Sequence, residues 1–140
     1  MKFILICLLA ITLGGCSSSR TSSADLNQLG GDWVLTVFPY QTKALAELFT
    51  ARIPELQLEV PGRKVAGNTG CNRMFGSFTV DGSAFQFGNL GSTKMACPGY
   101  DETIYLNALS RVNRFSVNND QLTFYQDSTL LMTFAKKTNP

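Results

Sequence analysis

No histidine occurs among the 140 residues. The commonest general base and the commonest protein ligand for transition metals are therefore both missing. Tryptophan occurs once, and charged residues make up 16% of the chain, against about 25% in a typical soluble domain. Twelve basic and ten acidic groups leave a formal charge of +2, and no run of basic residues gathers it into a patch. Lys2 lies in a leader-like segment, so the remainder balances at +1. That excludes the electrostatic footprint of a nucleic-acid binder, despite a pI of about 8.4. The glycines at 67, 70 and 76 are followed by no Walker A lysine, and there is neither a Cys-x-x-Cys pair nor a Gly-x-Ser-x-Gly elbow. Long hydrophobic runs are lacking too. The one candidate, residues 3–13, falls short of the roughly 20 residues that cross a bilayer.

What is present begins with that short run. Lys2 precedes it and Leu13-Gly14-Gly15-Cys16 follows it, the parts of a secretory signal with small residues before a cleavage point. The last four residues resemble the lipobox of bacterial lipoproteins. The resemblance implies a signal peptide over residues 1–15, which carries Cys7 away with it, and acyl chains on Cys16. One acyl chain holds a protein only marginally, whereas two or three give a lasting anchor. The alternative is an ordinary secreted chain in which Cys16 has no such role. Residues 16–26 form the lipidated cysteine and a flexible tether, because the Ser-rich stretch to Ala24 has too little apolar surface to fold. Ser17, rather than Asp, at the second mature position implies the outer membrane, facing the periplasm, by the sorting rule of Gram-negative lipoproteins.

The rest of the chain, residues 27–138, reads as one domain. A hydrophobic share of 44% with ten phenylalanines is ample for a core. Short alternating runs predict antiparallel strands. Trp33, Leu35 and Val37 alternate with Val34, Thr36 and Phe38; Leu56, Leu58 and Val60 alternate up to the Pro61-Gly62 turn; Phe78 and Val80 lead through Asp81-Gly82 to Phe85 and Phe87. Three more strands carry Phe115 and Val117, Leu122 and Phe124, then Leu130, Met132 and Phe134. Only residues 100–112 break the two-residue period: Tyr105, Leu109 and Val112 share a helical face, with Asp101 and Glu102 in the first turn and Arg111 in the last. A second, weaker helical turn is expected over residues 43–51. The predicted fold is mostly β (α+β), an antiparallel meander or barrel-like sheet covered by one amphipathic helix.

The most informative block runs Gly67-Asn68-Thr69-Gly70-Cys71-Asn72-Arg73-Met74-Phe75-Gly76-Ser77-Phe78, followed by Thr93-Lys94-Met95-Ala96-Cys97 and the helix with Glu102. Together with Trp33 near the domain start, this pattern resembles the META domain, the HslJ-like family, over roughly residues 29–136. The resemblance implies a small antiparallel β domain with a helix, often carried by envelope lipoproteins. It also implies links to heat-shock response and novobiocin resistance, without a defined enzymatic activity.

The same residues have a direct physical reading. With Cys7 cleaved and Cys16 acylated, Cys71 and Cys97 are the cysteines that remain, and an exported pair is most simply a disulfide. Free thiols, a redox pair or a metal site are the competing readings, the last a poor fit for two thiols without histidine. The glycines suit bulges or close backbone approach at bends in a curved sheet. Asn72 suits a turn in which it satisfies backbone groups, with a binding role as the sharper reading. Arg73 is the best single candidate for contact with a ligand or partner, because a guanidinium matches carboxylate and phosphate; a salt bridge or a solvated face is the blander reading. No catalytic residue, metal site or cofactor is expected. The expected partner is the membrane, through the lipid anchor, and beyond it an envelope protein of unidentified kind. Two functions follow: an envelope maintenance factor supporting heat or antibiotic tolerance, or a binding or inhibitor module for a hydrolase or small ligand.

Overall fold

A computed structural model describes residues 23–39 and 42–138. Cys7, Cys16 and Ser17, with the expected signal and most of the tether, lie outside the described residues.

The chain forms α1 (Ser23–Leu29), β1 (Gly31–Val37), α2 (Leu45–Leu48), β2 (Glu55–Glu59), β3 (Lys64–Asn68), β4 (Arg73–Asp81), β5 (Ala84–Phe87), β6 (Gly91–Ser92), α3 (Glu102–Ser110), β7 (Arg114–Asn118), β8 (Gln121–Gln126) and β9 (Thr129–Lys136). All strand pairs are antiparallel, in the order β3-β2-β1-β9-β8-β7-β5-β4-β6. A further pairing of β3 with β4 turns this order into a ring-like sheet. The mostly β expectation therefore holds, with one nine-residue helix and two shorter ones among the described residues.

Inside the ring sits an aromatic core. Phe78 and Phe85 stack at 5.0 Å, and Phe85 also meets Phe124 at 4.9 Å and Phe115 at 5.8 Å. Trp33 is wholly buried, and its indole N–H donates to the carbonyl of Leu29 at 3.0 Å. That bond and the burial of Leu29 explain why α1 forms. The helix starts at Ser23, within the stretch read from sequence as tether, because Leu26 and Leu29 pack against the core.

Two bulges change which residues face inward. Between β1 and β9 the register passes from Leu35↔Phe134 to Val37↔Thr133, so Thr36 is the extra residue. Past it, Val37 turns outward, 42% exposed, and Phe38 turns in. Strict alternation had put Val37 beside Trp33 and Leu35, and a bulge reverses such an assignment because the side-chain period is two. Between β8 and β9 the partners jump from Phe124↔Met132 to Tyr125↔Leu130. Leu131 is the extra residue there, and it is fully buried next to Met132.

The hairpin after β4 turns at Gly82-Ser83, with Asp81↔Ala84 as the last pair and Gly82 at φ +57°. Helix α3 lies against β5 and β9, burying Tyr105, Ala108 and Leu109. Asp101 precedes it as the N-cap, its carboxylate accepting from the Thr103 amide at 3.0 Å, and Arg111 is the C-cap.

Candidate functional site

The informative block folds into the β3–β4 connection and the first half of β4. Thr69 to Asn72 make a tight loop: the Thr69 amide donates to the Asn72 carbonyl at 2.9 Å, and the Asn72 amide to Thr69 Oγ1 at 3.0 Å. Gly70 holds φ +94° there, and a Cβ on it would run into the Phe49 ring. Gly67 lets β3 pass close to β2, since its Cβ would strike the Glu55 carbonyl. Those two glycines are required by backbone geometry.

Asn72 is buried and uses its full hydrogen-bonding capacity. Its Oδ1 accepts from the Met95 amide at 2.7 Å and from Thr93 Oγ1 at 2.9 Å. Its Nδ2 donates to Glu102 Oε2 at 3.0 Å and to the Met95 carbonyl at 3.3 Å. One side chain thereby fastens the β3–β4 loop to the segment before α3 and to the helix itself. Glu102 Oε2 accepts a second bond from Thr69 Oγ1 at 2.8 Å, while Lys94 approaches Oε1 at 3.8 Å. A first-turn acid on a helix reads from sequence as a response to the helix dipole. Here Glu102 is also the acceptor at the centre of a three-segment polar cluster, a role the one-dimensional pattern did not disclose.

The disulfide Cys71–Cys97 joins the same two loops, with Cα atoms 6.2 Å apart, within the range a disulfide spans. Tyr100 completes the closure, its hydroxyl donating to the Thr69 carbonyl at 2.6 Å while its ring meets Phe49 at 5.1 Å. Burial, reinforced by the Glu102 and Asp101 carboxylates, pushes the Tyr100 phenol well above its ordinary value. Burial does the same to Tyr105, whose enclosed hydroxyl has no hydrogen-bond partner among the described residues. Two hydrogen bonds from Thr103 hold the Asp101 carboxyl below its ordinary value.

The two candidate binding residues part company in space. Asn72 points into the cluster, whereas Arg73, next in sequence, is exposed on the outer face of the sheet. Asn72 is the last residue of the loop and Arg73 the first of β4. Arg73 lines a cavity of about 270 Å³ with Asp32, Arg52, Glu55, Gln57 and Asn68 among its other walls. Among the described residues no group of three or more His, Cys, Asp or Glu is placed to hold a metal ion, and no helix is long and apolar enough to cross a membrane.

A family model for the META domain matches residues 24–139. The chain belongs to the META-domain family. An NMR structure of a protein from Burkholderia xenovorans is similar to it at 29% identity and TM-score 0.67, covering 89% of this chain and 94% of that one. A second NMR structure matches at 17% identity and TM-score 0.59, over 78% of this chain and 91% of the other. A crystal structure of a DUF4847-family protein from Bacteroides vulgatus ATCC 8482 matches at 13% identity and TM-score 0.61, over 81% and 96% of the respective chains. At such identities the last two likenesses concern the fold alone. Among curated proteins there is no match. In this META domain, the Gly-Cys-Asn-Arg run and the Thr-x-Met-x-Cys run meet at one end of the sheet, where the disulfide and Asn72 join them.

Proposed function

We propose that this META domain is the folded part of a non-catalytic envelope lipoprotein. In this reading residues 1–15 are a signal, acyl chains on Cys16 anchor the protein to the outer membrane facing the periplasm, and the domain supports envelope integrity under heat or antibiotic stress. The Cys71–Cys97 disulfide carries the proposal, because such bonds persist in oxidising compartments beyond the cytoplasm. The Leu13-Gly14-Gly15-Cys16 sequence and the polar residues after it support the anchor. The non-catalytic reading is supported by the engagement of Asn72, Glu102 and Tyr100 in structural bonds. The lack of histidine points the same way.

The test is made in the native host. Mass measurement of the purified protein should show a chain starting at Cys16 with acyl groups on it. Cys16→Ala should move the protein to the soluble periplasmic fraction or leave it uncleaved. Deletion should raise sensitivity to novobiocin or heat. An unmodified residue 16, or membrane extraction unchanged by the substitution, sinks the anchor.

The second reading, a binding module, is favoured by the cavity beside Arg73, which opens on the outer face of the sheet. It predicts a dominant ligand or partner, where a maintenance factor predicts none.

A further inference from the structure

The cavity beside Arg73 crosses three neighbouring strands. Glu55 of β2 pairs with Asn68 of β3, which pairs with Arg73 of β4, so a carboxylate, a carboxamide and a guanidinium stand in one row across the sheet. Asp32 of β1 pairs with Gln57 and closes one side; Arg52 and Lys137 close the rest. The volume, about 270 Å³, lies just below the range of roughly 300–1,000 Å³ usual for small-molecule sites.

The charges in this cavity are unequally used. Lys137 Nζ contacts Glu55 Oε1 at 3.0 Å, so that pair satisfies itself. Arg52 spends Nη2 on the Cys71 carbonyl at 2.8 Å, which fixes its position and leaves other N–H groups free. Arg73 makes no side-chain hydrogen bond or ion pair with any described residue, and neither does the Asp32 carboxylate. Asn68 uses Oδ1 to accept from the Gly70 amide at 2.9 Å, and its Nδ2 donates to no described residue. What remains uncommitted in the lining is the Arg73 guanidinium, the other N–H groups of Arg52 and an amide donor, together with the Asp32 carboxylate.

We infer that this cavity binds a small zwitterion, a free amino acid or a whole short peptide, with the ligand carboxylate on Arg73 and Arg52 and its ammonium group toward Asp32. A carboxylate suits the planar N–H fork of arginine. Phosphate suits it as well, but a dianion would lie against Asp32 and Glu55, so the acids in the wall select the singly charged group. The inference deepens the binding-module reading and does not depend on the lipid anchor.

The experiment follows backbone amide shifts of the full chain in detergent during titration with free alanine, trialanine, C-terminally amidated trialanine, N-acetylated trialanine and inorganic phosphate. Trialanine or alanine should shift Gly67, Asn68 and Arg73 saturably, and whichever binds tighter tells a short peptide from a free amino acid. The amidated peptide and phosphate should each bind at least tenfold more weakly than trialanine, and N-acetylated trialanine should lose less. Arg73→Gln should weaken trialanine at least tenfold, with Asp32→Asn reproducing the effect of N-acetylation. Both residues have uncommitted side chains, so the variants should melt with the parent. Equal response to phosphate or to the amidated peptide overturns the inference, as does an unchanged Arg73→Gln. Shifts confined to another face overturn this site while leaving a binding module standing; no shift with any probe overturns the site outright.

Discussion

Asn72 shows how much one buried amide can organise. Its four bonds span the β3–β4 loop, the segment at Thr93 and Met95, and the first turn of α3. Asn72→Ala leaves the Met95 amide, Thr93 Oγ1 and the Glu102 carboxylate without that partner, and a buried group left unsatisfied costs roughly 1–3 kcal/mol. The expected loss on denaturant unfolding is about 2–4 kcal/mol. Asn72→Asp keeps the two acceptor bonds but replaces the donor to Glu102 with a second carboxylate, so it should also destabilise, and its deficit should shrink as the solution is acidified. If Asn72→Asp behaved as wild type at neutral pH, Glu102 would not be the acceptor described. The tyrosines set a second pH limit. Tyr100 and Tyr105 are raised above the ordinary 10.0, so the fold favours their protonated forms. That stability is full below 10.0 and is lost as pH rises above it, when the unfolded chain ionises first. The melting temperature should accordingly fall on the alkaline side of pH 10, and less steeply in Tyr100→Phe. Asp101 is lowered and works in the opposite sense, its contribution present above the ordinary carboxylate value and lost as pH falls below it.

At the scale of strands and helices, the bulges decide what is core. Alternation predicts Val37 inside and gives Leu131 to the outer face, and the structure reverses both. The expected consequence is an inverted mutational pattern. Leu131→Ala should cost about 2–5 kcal/mol, the range for a buried leucine truncated in a packed core. Val37→Thr should stay within about 0.5 kcal/mol, as exposed substitutions do. Chemical denaturation of the two variants tests the register directly, and a costly Val37→Thr with a silent Leu131→Ala would restore unbroken alternation. Helix α3, by contrast, was legible. Its face of Tyr105, Ala108 and Leu109, its acidic start and its end near Arg111 all follow from the 3.6-residue period and the capping chemistry. The strands at the chain's end were legible for the same reason, each being bounded by a polar turn: Asn119 and Asp127 adopt positive φ where the sequence places Asn-Asn-Asp and Asp-Ser.

For the molecule as a whole, the disulfide has the largest expected effect. It closes a loop between residues 26 apart in sequence, which in the chain-entropy model restricts the unfolded state by about 3.5 kcal/mol. Reduction, or Cys71→Ala, should lower the melting temperature by on the order of 10 °C for a domain of this size. Labelling of both cysteines in the native, unreduced protein would count against the bond. Its effect should reach beyond stability, because the Cys71 carbonyl it helps to position holds Arg52 at the edge of the outer cavity.

Local chemistry alone settled much of the secondary structure and the family: the strand periods, the turn residues, the one amphipathic helix and the spaced Gly-Cys-Asn-Arg and Thr-x-Met-x-Cys runs are written within short windows of sequence, whereas α1, β3 and β6 were not read there. The META-domain match over residues 24–139 includes those same runs. Only the tertiary structure decided that Glu102 meets Asn72 across 30 positions, that Asn72 and Arg73 serve opposite faces, and that Arg73 shares a cavity with Asp32 and Arg52. Those facts depend on how distant strands register against one another, and a one-residue bulge is enough to change which face a side chain occupies.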